Sequence, residues 1–226
     1  AWPFKLEERL KSGGFDYDVI NMGACAYGLD QAYLWFLEQE KGLKPDIVIL
    51  GLSYSLDRVV RGRLSTGHGK PRFKLVEDRL ILTNVPCPGR IAPGEKIEDW
   101  QEILFNSRKS YFLDLVIERL RMVFKVPLRD KPDESLEITE KILQNFAAGC
   151  KENKSKFIFV LFDPIPGVKE ILVRRNIDFI ECFEALDGKE GAYLPNDRHP
   201  SSFGHELIAG RVYKFLLEHR EKYFPY

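Results

Sequence analysis

A histidine that follows an aspartate by two residues lies near the end of the sequence. Asp197 and His199 close a polar loop with Pro200, and a long amphipathic segment begins directly after them. A carboxylate beside an imidazole fixes the tautomer of the ring and stabilises the imidazolium, as a general base requires. Asp197 and His199 are therefore candidate catalytic residues. The alternative is an exposed loop in which both side chains only cap a helix.

The other three histidines are interpreted as residues without a catalytic role. His205 falls in the first turns of the predicted final helix and is interpreted as a structural residue there. His68 lies in a glycine-rich loop, and His219 lies at an exposed helix end. We expect neither of these two to take part in chemistry.

Alternating strand and helix patterns predict the elements that position these residues. Continuous apolar runs predict buried parallel strands at 46–52, 157–162 and 177–183, and a short strand is predicted at 18–21. Helical spacing predicts helices at 2–12, 30–40, 100–124, 134–150 and 202–220, with Asp30 and Ser202 as N-caps. Alternation on both sides of Glu77-Asp78-Arg79 predicts a β-hairpin at 73–85, before a surface loop at 85–94. The hairpin could be a lid or a partner surface.

These elements predict an α/β fold with a parallel sheet covered on both faces. Residues from about 60 to 130 break the alternation and are interpreted as an insertion into a single domain of 226 residues. The aromatic residues Tyr33, Trp35 and Phe36 share a helical spacing and are interpreted as core.

Charge and cysteine content exclude several classes of function. Lys plus Arg and Asp plus Glu both number 34, so no net charge attracts the chain to nucleic acid or anionic lipid. The longest apolar run, 47–52, is far too short for a transmembrane segment. The four cysteines form no CxxC pair, which argues against a zinc site, and Cys150 and Cys182 are predicted to be reduced core residues. The compartment is not determined by the sequence.

Three blocks in this order resemble the SGNH (GDSL-type) hydrolases. DVINMGACAYGLDQ at 18–31 resembles the family's Asn-x-Gly-x-x-Gly-x-Gly block, and KPDIVILGL at 44–52 resembles the strand leading to its third block. The segment from Asp197 to Ala209, DRHPSSFGHELIA, resembles the last block, which carries the catalytic histidine and acid. The resemblance implies a flavodoxin-like three-layer α/β/α sandwich. It also implies hydrolysis of a small-molecule, carbohydrate or lipid ester through an acyl-enzyme, with no metal and no organic cofactor.

Residue roles follow from the same resemblance. His199 would be the general base and Asp197 the acid that orients it, although Asn196 stands where most of the family has its acid. An oxyanion hole needs donors aimed at the developing negative charge. Ala26 aligns with the glycine whose N–H serves the family, and it follows Gly23. The family's asparagine donor is absent, so Ser53 or Ser55 would take its place.

The family's nucleophilic serine lies in a Gly-Asp-Ser motif at the end of the first strand. That motif is absent here, and residues 1–7 resemble the helix that follows it. The resemblance therefore implies an N-terminally truncated fragment that lacks its nucleophile and central strand, and we expect the fragment alone to be inactive.

Two alternatives remain open. Gly51-Leu52-Ser53-Tyr54-Ser55 resembles the nucleophile elbow of the α/β-hydrolases, with Ser53 as the nucleophile. A non-catalytic SGNH-like domain that binds an acylated or glycan ligand would also show the altered second and third blocks.

Overall fold

The chain divides into two compact units. The computed structural model describes residues 1–53, 56–64, 68–89, 132–195 and 199–224. The first unit combines Ala1–Ala24, Phe36–Ser55 and Leu143–Tyr226, and the second combines Cys25–Trp35 with Leu56–Ile142. The second unit includes the predicted insertion at about 60–130, and the assignment of the chain to a single domain stays a prediction.

The described elements follow one another in this order: α1 (Trp2–Ser12), α2 (Leu29–Leu43), β1 (Ile47–Leu52), a 3₁₀ helix (Leu56–Val59), β2 (Arg72–Val76), β3 (Arg79–Thr83), α3 (Pro132–Glu152), β4 (Lys156–Leu161), α4 (Val168–Arg174), β5 (Asp178–Glu181), α5 (Phe183–Leu186), α6 (Ser202–Glu218) and α7 (Arg220–Tyr223). The predicted helix at 100–124 lies outside the described residues.

A parallel sheet organises the first unit. Within the described residues its strand order is β1-β4-β5, and Ile47 pairs with Lys156 where β1 begins. Strand β4 pairs with β5 through Ile158 and Asp178. The predicted α/β class with a parallel sheet is confirmed, whereas the flavodoxin-like three-layer sandwich stays a prediction.

Helices cover both faces of this sheet. Because side chains alternate along a strand, the run KFIFVL of β4 can bury residues on each face. One face carries a buried cluster from α1, β4, β5 and α6, which includes Leu6, Leu10, Ile158, Val160, Ile180, Ile208 and Val212. On the other face, the ring of Phe157 stacks on Phe146 of α3 with centroids 5.5 Å apart. Phe36 of α2 extends that contact, 4.6 Å from Phe146.

The predicted hairpin is confirmed in the second unit. Strands β2 and β3 are antiparallel, with Phe73 opposite Leu82. The turn residues Glu77 and Asp78 have φ values of +48° and +62°. Positive φ at both central residues is typical of the type I′ turn, whose twist matches the flanking strands. Tyr33 of α2 packs on Phe73 with ring centroids 5.8 Å apart.

The strand predicted at 18–21 is wrong. Residues 15–24 contain no helix or strand. The N–H of Val19 donates to the side chain of Glu7 at 3.2 Å, and Ile20 is 64 % exposed. A strand exists only by pairing with a neighbour, and no described residue pairs with this segment.

Both predicted N-caps are also wrong by one or two positions. The Gly28 carbonyl accepts the first helical hydrogen bond of α2, so Asp30 lies within the first turn rather than at the cap. Helix α6 is capped by Ser201, whose hydroxyl accepts from the Gly204 N–H at 3.1 Å. The predicted final helix at 202–220 also ends earlier, at Glu218, before the short α7.

Cys150 and Cys182 are buried free thiols, as predicted. Burial raises the pKa of each to about 12, so both remain protonated at neutral pH. In the described part of the chain no helix combines the length and the hydrophobicity needed to span a bilayer.

Candidate functional site

Polar side chains meet where two neighbouring parallel strands of the first unit end. Ser53 follows β1 directly, and Asp163 lies two residues after β4. The Ser53 hydroxyl donates to Asp163 Oδ2 at 2.7 Å. In parallel α/β sheets, ligands bind beyond the carboxyl ends of the strands. Ser53 and Asp163 therefore occupy the edge of the sheet where a ligand site is expected.

The contact with Asp163 changes the role available to Ser53. A hydroxyl carries a single hydrogen, and here that hydrogen is directed at a carboxylate. While this bond persists, Ser53 offers only lone pairs to a ligand, whereas an oxyanion needs a donor. Ser55, the other candidate for that position, lies outside the described residues.

Asp163 was missed by sequence reasoning. The signal was present, because a polar residue immediately after a buried apolar strand marks the carboxyl edge of a sheet. Asp163 follows the run FIFVLF as Ser53 follows IVILGL. The parallel register that aligns Leu52 with Leu161 brings the two strand ends together.

An aromatic ring covers the end of β1 beside Ser53. A Cβ built at Gly51 would lie 2.4 Å from Phe162 Cε2, so the ring occupies the space of a side chain there. Trp2 of α1 packs on Phe162 with centroids 6.2 Å apart. Gly51 is therefore required by close packing at the end of the strand.

Backbone hydrogen bonds connect His199 and Ser201 to residues 192–194. The His199 carbonyl accepts from the Leu194 N–H at 3.0 Å, and Tyr193 and Pro200 form an isolated antiparallel bridge. The N–H of Ser201 donates to the Ala192 carbonyl at 2.9 Å. The structure therefore presents an exposed His199 three residues before α6 begins. Asp197, its predicted partner, lies outside the described residues.

His205 lies inside α6, as predicted for a structural residue. Its Nδ1 is buried without a hydrogen-bond partner among the described atoms. Burial lowers the pKa of His205, and the positive charge of Lys5 acts in the same direction. The ring is therefore neutral at pH 7, and it does not compete with His199 for the role of an exposed base.

The predicted oxyanion donors differ in how their N–H groups are used. The Gly23 N–H donates to the side chain of Asn21 at 3.1 Å. The Ala26 N–H makes no hydrogen bond to another described residue, and Ala26 has a φ of +64°. Gly23 and Ser53 belong to the first unit and Ala26 to the second.

Replacing Ala26 with Gly should therefore stabilise the protein slightly. The left-handed conformation costs an L-residue about 1–2 kcal/mol, and glycine avoids this cost. Glycine also makes the unfolded chain more flexible, which lowers the free energy of unfolding by about 0.4–1 kcal/mol and so cancels part of the gain. Ala32, within α2, is the matched control, because Gly there should cost about 1 kcal/mol. Urea unfolding of both variants checks this. An Ala26→Gly variant as destabilised as Ala32→Gly would show that the φ of Ala26 is not strained.

The interpretation of Trp35 as core is wrong. Tyr33 and Phe36 are each 8 % exposed, but Trp35 is 41 % exposed. Its ring meets that of Tyr27 edge to face, with centroids 6.3 Å apart. Helical spacing identified the helix but not which side of it faces solvent. Tyr27 and Trp35 instead form an exposed aromatic pair, and Tyr27 directly follows Ala26 in the sequence.

The nucleophile elbow predicted as an alternative at Ser53 stays a prediction, because residues 54 and 55 lie outside the described residues. An elbow places the serine on a strained turn between a strand and an α-helix. Ser53 is not among the residues with positive φ, and the next described element is the 3₁₀ helix Leu56–Val59. Its hydroxyl contacts a carboxylate rather than a described histidine.

No protein-family model, no curated protein and no solved structure matches the chain. Among the described side chains, no group of three or more His, Cys, Asp or Glu is arranged to hold a metal ion.

Proposed function

We propose that the chain belongs to an ester hydrolase with His199 as its general base. The observation that carries the proposal is the exposed His199, whose carbonyl accepts from the Leu194 N–H three residues before α6 begins. Asp197, two residues earlier, would orient the ring. The resemblance of three sequence blocks to the SGNH hydrolases supplies the reaction class.

The reaction would proceed through an acyl-enzyme. A serine on a strand preceding Ala1 would attack the ester carbonyl while His199 takes its proton. The tetrahedral intermediate would then expel the alcohol, which leaves with the proton held by His199. Water activated by His199 would release the acid and restore the serine.

The outer edge of β1 supports the addition of such a strand. Strand β1 is a continuous apolar run, IVILGL, of the kind found at the centre of parallel sheets. It nevertheless has a single described neighbour, β4. Exposed edges of apolar strands are usually paired or covered. A further parallel strand beside β1 would end next to Ser53 and Asp163.

A second candidate function is ligand binding without catalysis. The observation that favours it is the hydrogen bond from Ser53 to Asp163, which directs one predicted oxyanion donor away from a substrate. Loss of one such donor typically lowers the rate by about 100- to 1000-fold. Such a domain would bind an acylated or glycan ligand in the same place.

The test uses the product of the full reading frame with short-chain aryl esters and a fluorophosphonate probe. Turnover, with the probe mapped to a serine upstream of Ala1, is the expected result. A probe attached to Ser53 would instead support the elbow alternative. Binding of an acylated sugar without turnover or labelling would overturn the hydrolase proposal in favour of the binding domain.

A further inference from the structure

The two faces of the β2–β3 hairpin differ in burial. Directly opposite residues of an antiparallel pair lie on the same face, and side chains alternate along each strand. One face consists of Phe73, Leu75, Leu80 and Leu82. Phe73 is 6 % exposed and packs on Tyr33 of α2, so this face is the inner one. The opposite face, which we call the outer face, consists of Arg72, Lys74, Val76, Arg79, Ile81 and Thr83.

Exposed apolar side chains alternate with cations on the outer face. The solvated face of an antiparallel sheet is normally polar. Here Val76 is 51 % exposed and Ile81 is 45 % exposed. Val76 lies opposite Arg79, and Ile81 lies opposite Lys74. Because Cβ atoms of opposite residues are about 5 Å apart, each of these apolar side chains has a basic side chain beside it.

The charges of Lys74 and Arg79 are not neutralised by the described residues. Both side chains are exposed, and neither forms an ion pair with any described side chain. Glu77 and Asp78 lie in the turn, beyond the ladder, and Asp78 pairs with Lys141 of α3 at 2.5 Å. No acidic residue belongs to the outer face. This face therefore combines uncompensated positive charge with exposed apolar surface.

The base of the hairpin is attached to the rest of the second unit. Arg72 Nη1 donates to the Val60 carbonyl at 2.8 Å, and Asn84 Nδ2 donates to the Lys70 carbonyl at 2.6 Å. The side chain of Lys70 forms an ion pair with Asp30 of α2, and the two side chains are 2 % and 0 % exposed. The outer face is therefore preformed, and a preformed surface loses little conformational entropy on binding.

The size and chemistry of the outer face favour one kind of partner. A stable protein interface takes about 20–30 residues from each side, far more than one face of a two-stranded hairpin supplies. A bilayer surface with anionic lipids needs only a few residues, because cations bind its headgroups while apolar side chains enter the boundary with the acyl chains. The long stems of lysine and arginine can lie along apolar surface while their charges stay in water.

We propose that the outer face of the hairpin binds the surface of a bilayer that contains anionic phospholipid. Lys74 and Arg79 would contact headgroup phosphates, and Val76 and Ile81 would enter the boundary with the acyl chains. The chain has equal numbers of basic and acidic residues, so the attraction comes from this face rather than from net charge. The proposal concerns the second unit alone and does not depend on ester hydrolysis.

Sedimentation with vesicles of phosphatidylcholine, with and without phosphatidylserine, tests the proposal. The wild-type chain should bind only the vesicles with phosphatidylserine, and less so at higher ionic strength. Replacing both Lys74 and Arg79 with Gln should weaken binding by about 25-fold, since each basic residue near such a surface contributes about fivefold. Replacing both Val76 and Ile81 with Thr, which keeps the preference for a strand, should weaken binding by about tenfold.

The matched control replaces Lys44 and Lys154, two exposed cations of the first unit, with Gln. It removes the same charge and should bind as the wild type does. Equal losses in this control and in the Lys74 and Arg79 variant would overturn the proposal, as would wild-type binding that ignores phosphatidylserine. Full displacement by soluble polyglutamate, with no loss in the threonine variant, would identify a soluble polyanion as the partner instead. The comparison of the two vesicle types needs no variant, so it decides even if a variant is unstable.

Discussion

Replacing His199 with Ala should lower kcat for a short-chain aryl ester by about 10⁴-fold or more in the protein expressed from its full reading frame. Removal of a general base from a serine hydrolase has an effect of this size because the nucleophile then keeps its proton. KM should change little, since the imidazole acts on the proton rather than on the bound ester.

Two other histidines provide the controls. His219 lies at the end of α6, with Nδ1 2.9 Å from the Phe215 carbonyl, and His219→Ala should leave kcat unchanged. His205→Ala should act on stability rather than on the pH profile, because its Nδ1 is buried and its pKa is lowered. Steady-state kinetics on all three variants decide the assignment. A kcat that survives in His199→Ala but is lost in His205→Ala would show that the base had been misassigned.

Local sequence pattern was sufficient to predict most of the described strands and helices. The apolar runs at 46–52 and 157–162 correspond to β1 and β4 because a strand buried on both faces has no polar positions to interrupt it. The hairpin followed from alternation around a polar turn. These patterns involve residues only a few positions apart, so they can be recognised in a single sequence without knowledge of the fold.

Features that depend on distant partners could not be predicted in the same way. The segment at 18–21 has apolar residues suited to a strand, but pairing decides whether a strand forms, and no described neighbour pairs with it. The ion pair joins Asp30 to Lys70 across 40 residues, and no local pattern connects positions so far apart. Trp35 shows the same limitation, because spacing cannot reveal which face of α2 has a partner.

The candidate site was predicted in part. The turn at His199 was identified from residue types, and the structure adds the backbone bonds that hold it. The contact between Ser53 and Asp163 needed the strand register, which aligns the ends of β1 and β4. The conformation of Ala26 could not be predicted, since alanine has no intrinsic preference for positive φ.

Replacing Gly204 with Ala should both destabilise the first unit and impair the His199 turn. A Cβ at this position in the first turn of α6 would lie 2.1 Å from the Ala192 carbonyl oxygen and 3.0 Å from Pro200 Cβ. A backbone oxygen cannot rotate away as a side chain can, so the helix and the loop must separate. Overpacking of this kind typically costs about 1–3 kcal/mol.

Separation of α6 from the loop would displace residues whose backbone bonds lie beside His199. The Ala192 carbonyl that a new Cβ would displace accepts the Ser201 N–H at 2.9 Å, one of the bonds that fix the turn. A shift of about 1 Å in a catalytic group can lower the rate by about 100-fold. We therefore expect kcat/KM to fall by about that factor in the fraction of Gly204→Ala that remains folded.

Gly210, on the same helix, is the matched control. A Cβ there would have its nearest neighbours, Arg9 Cζ and Nη2, at 3.8 Å, which is ordinary van der Waals contact. Gly210→Ala should therefore stabilise the protein by about 0.5–1 kcal/mol, because alanine is the better helix former. Urea unfolding and kcat/KM measured on both variants separate the two effects. Equal stability of Gly204→Ala and Gly210→Ala would show that the loop before α6 moves at no cost. That result would contradict the expected effect of this loop on His199.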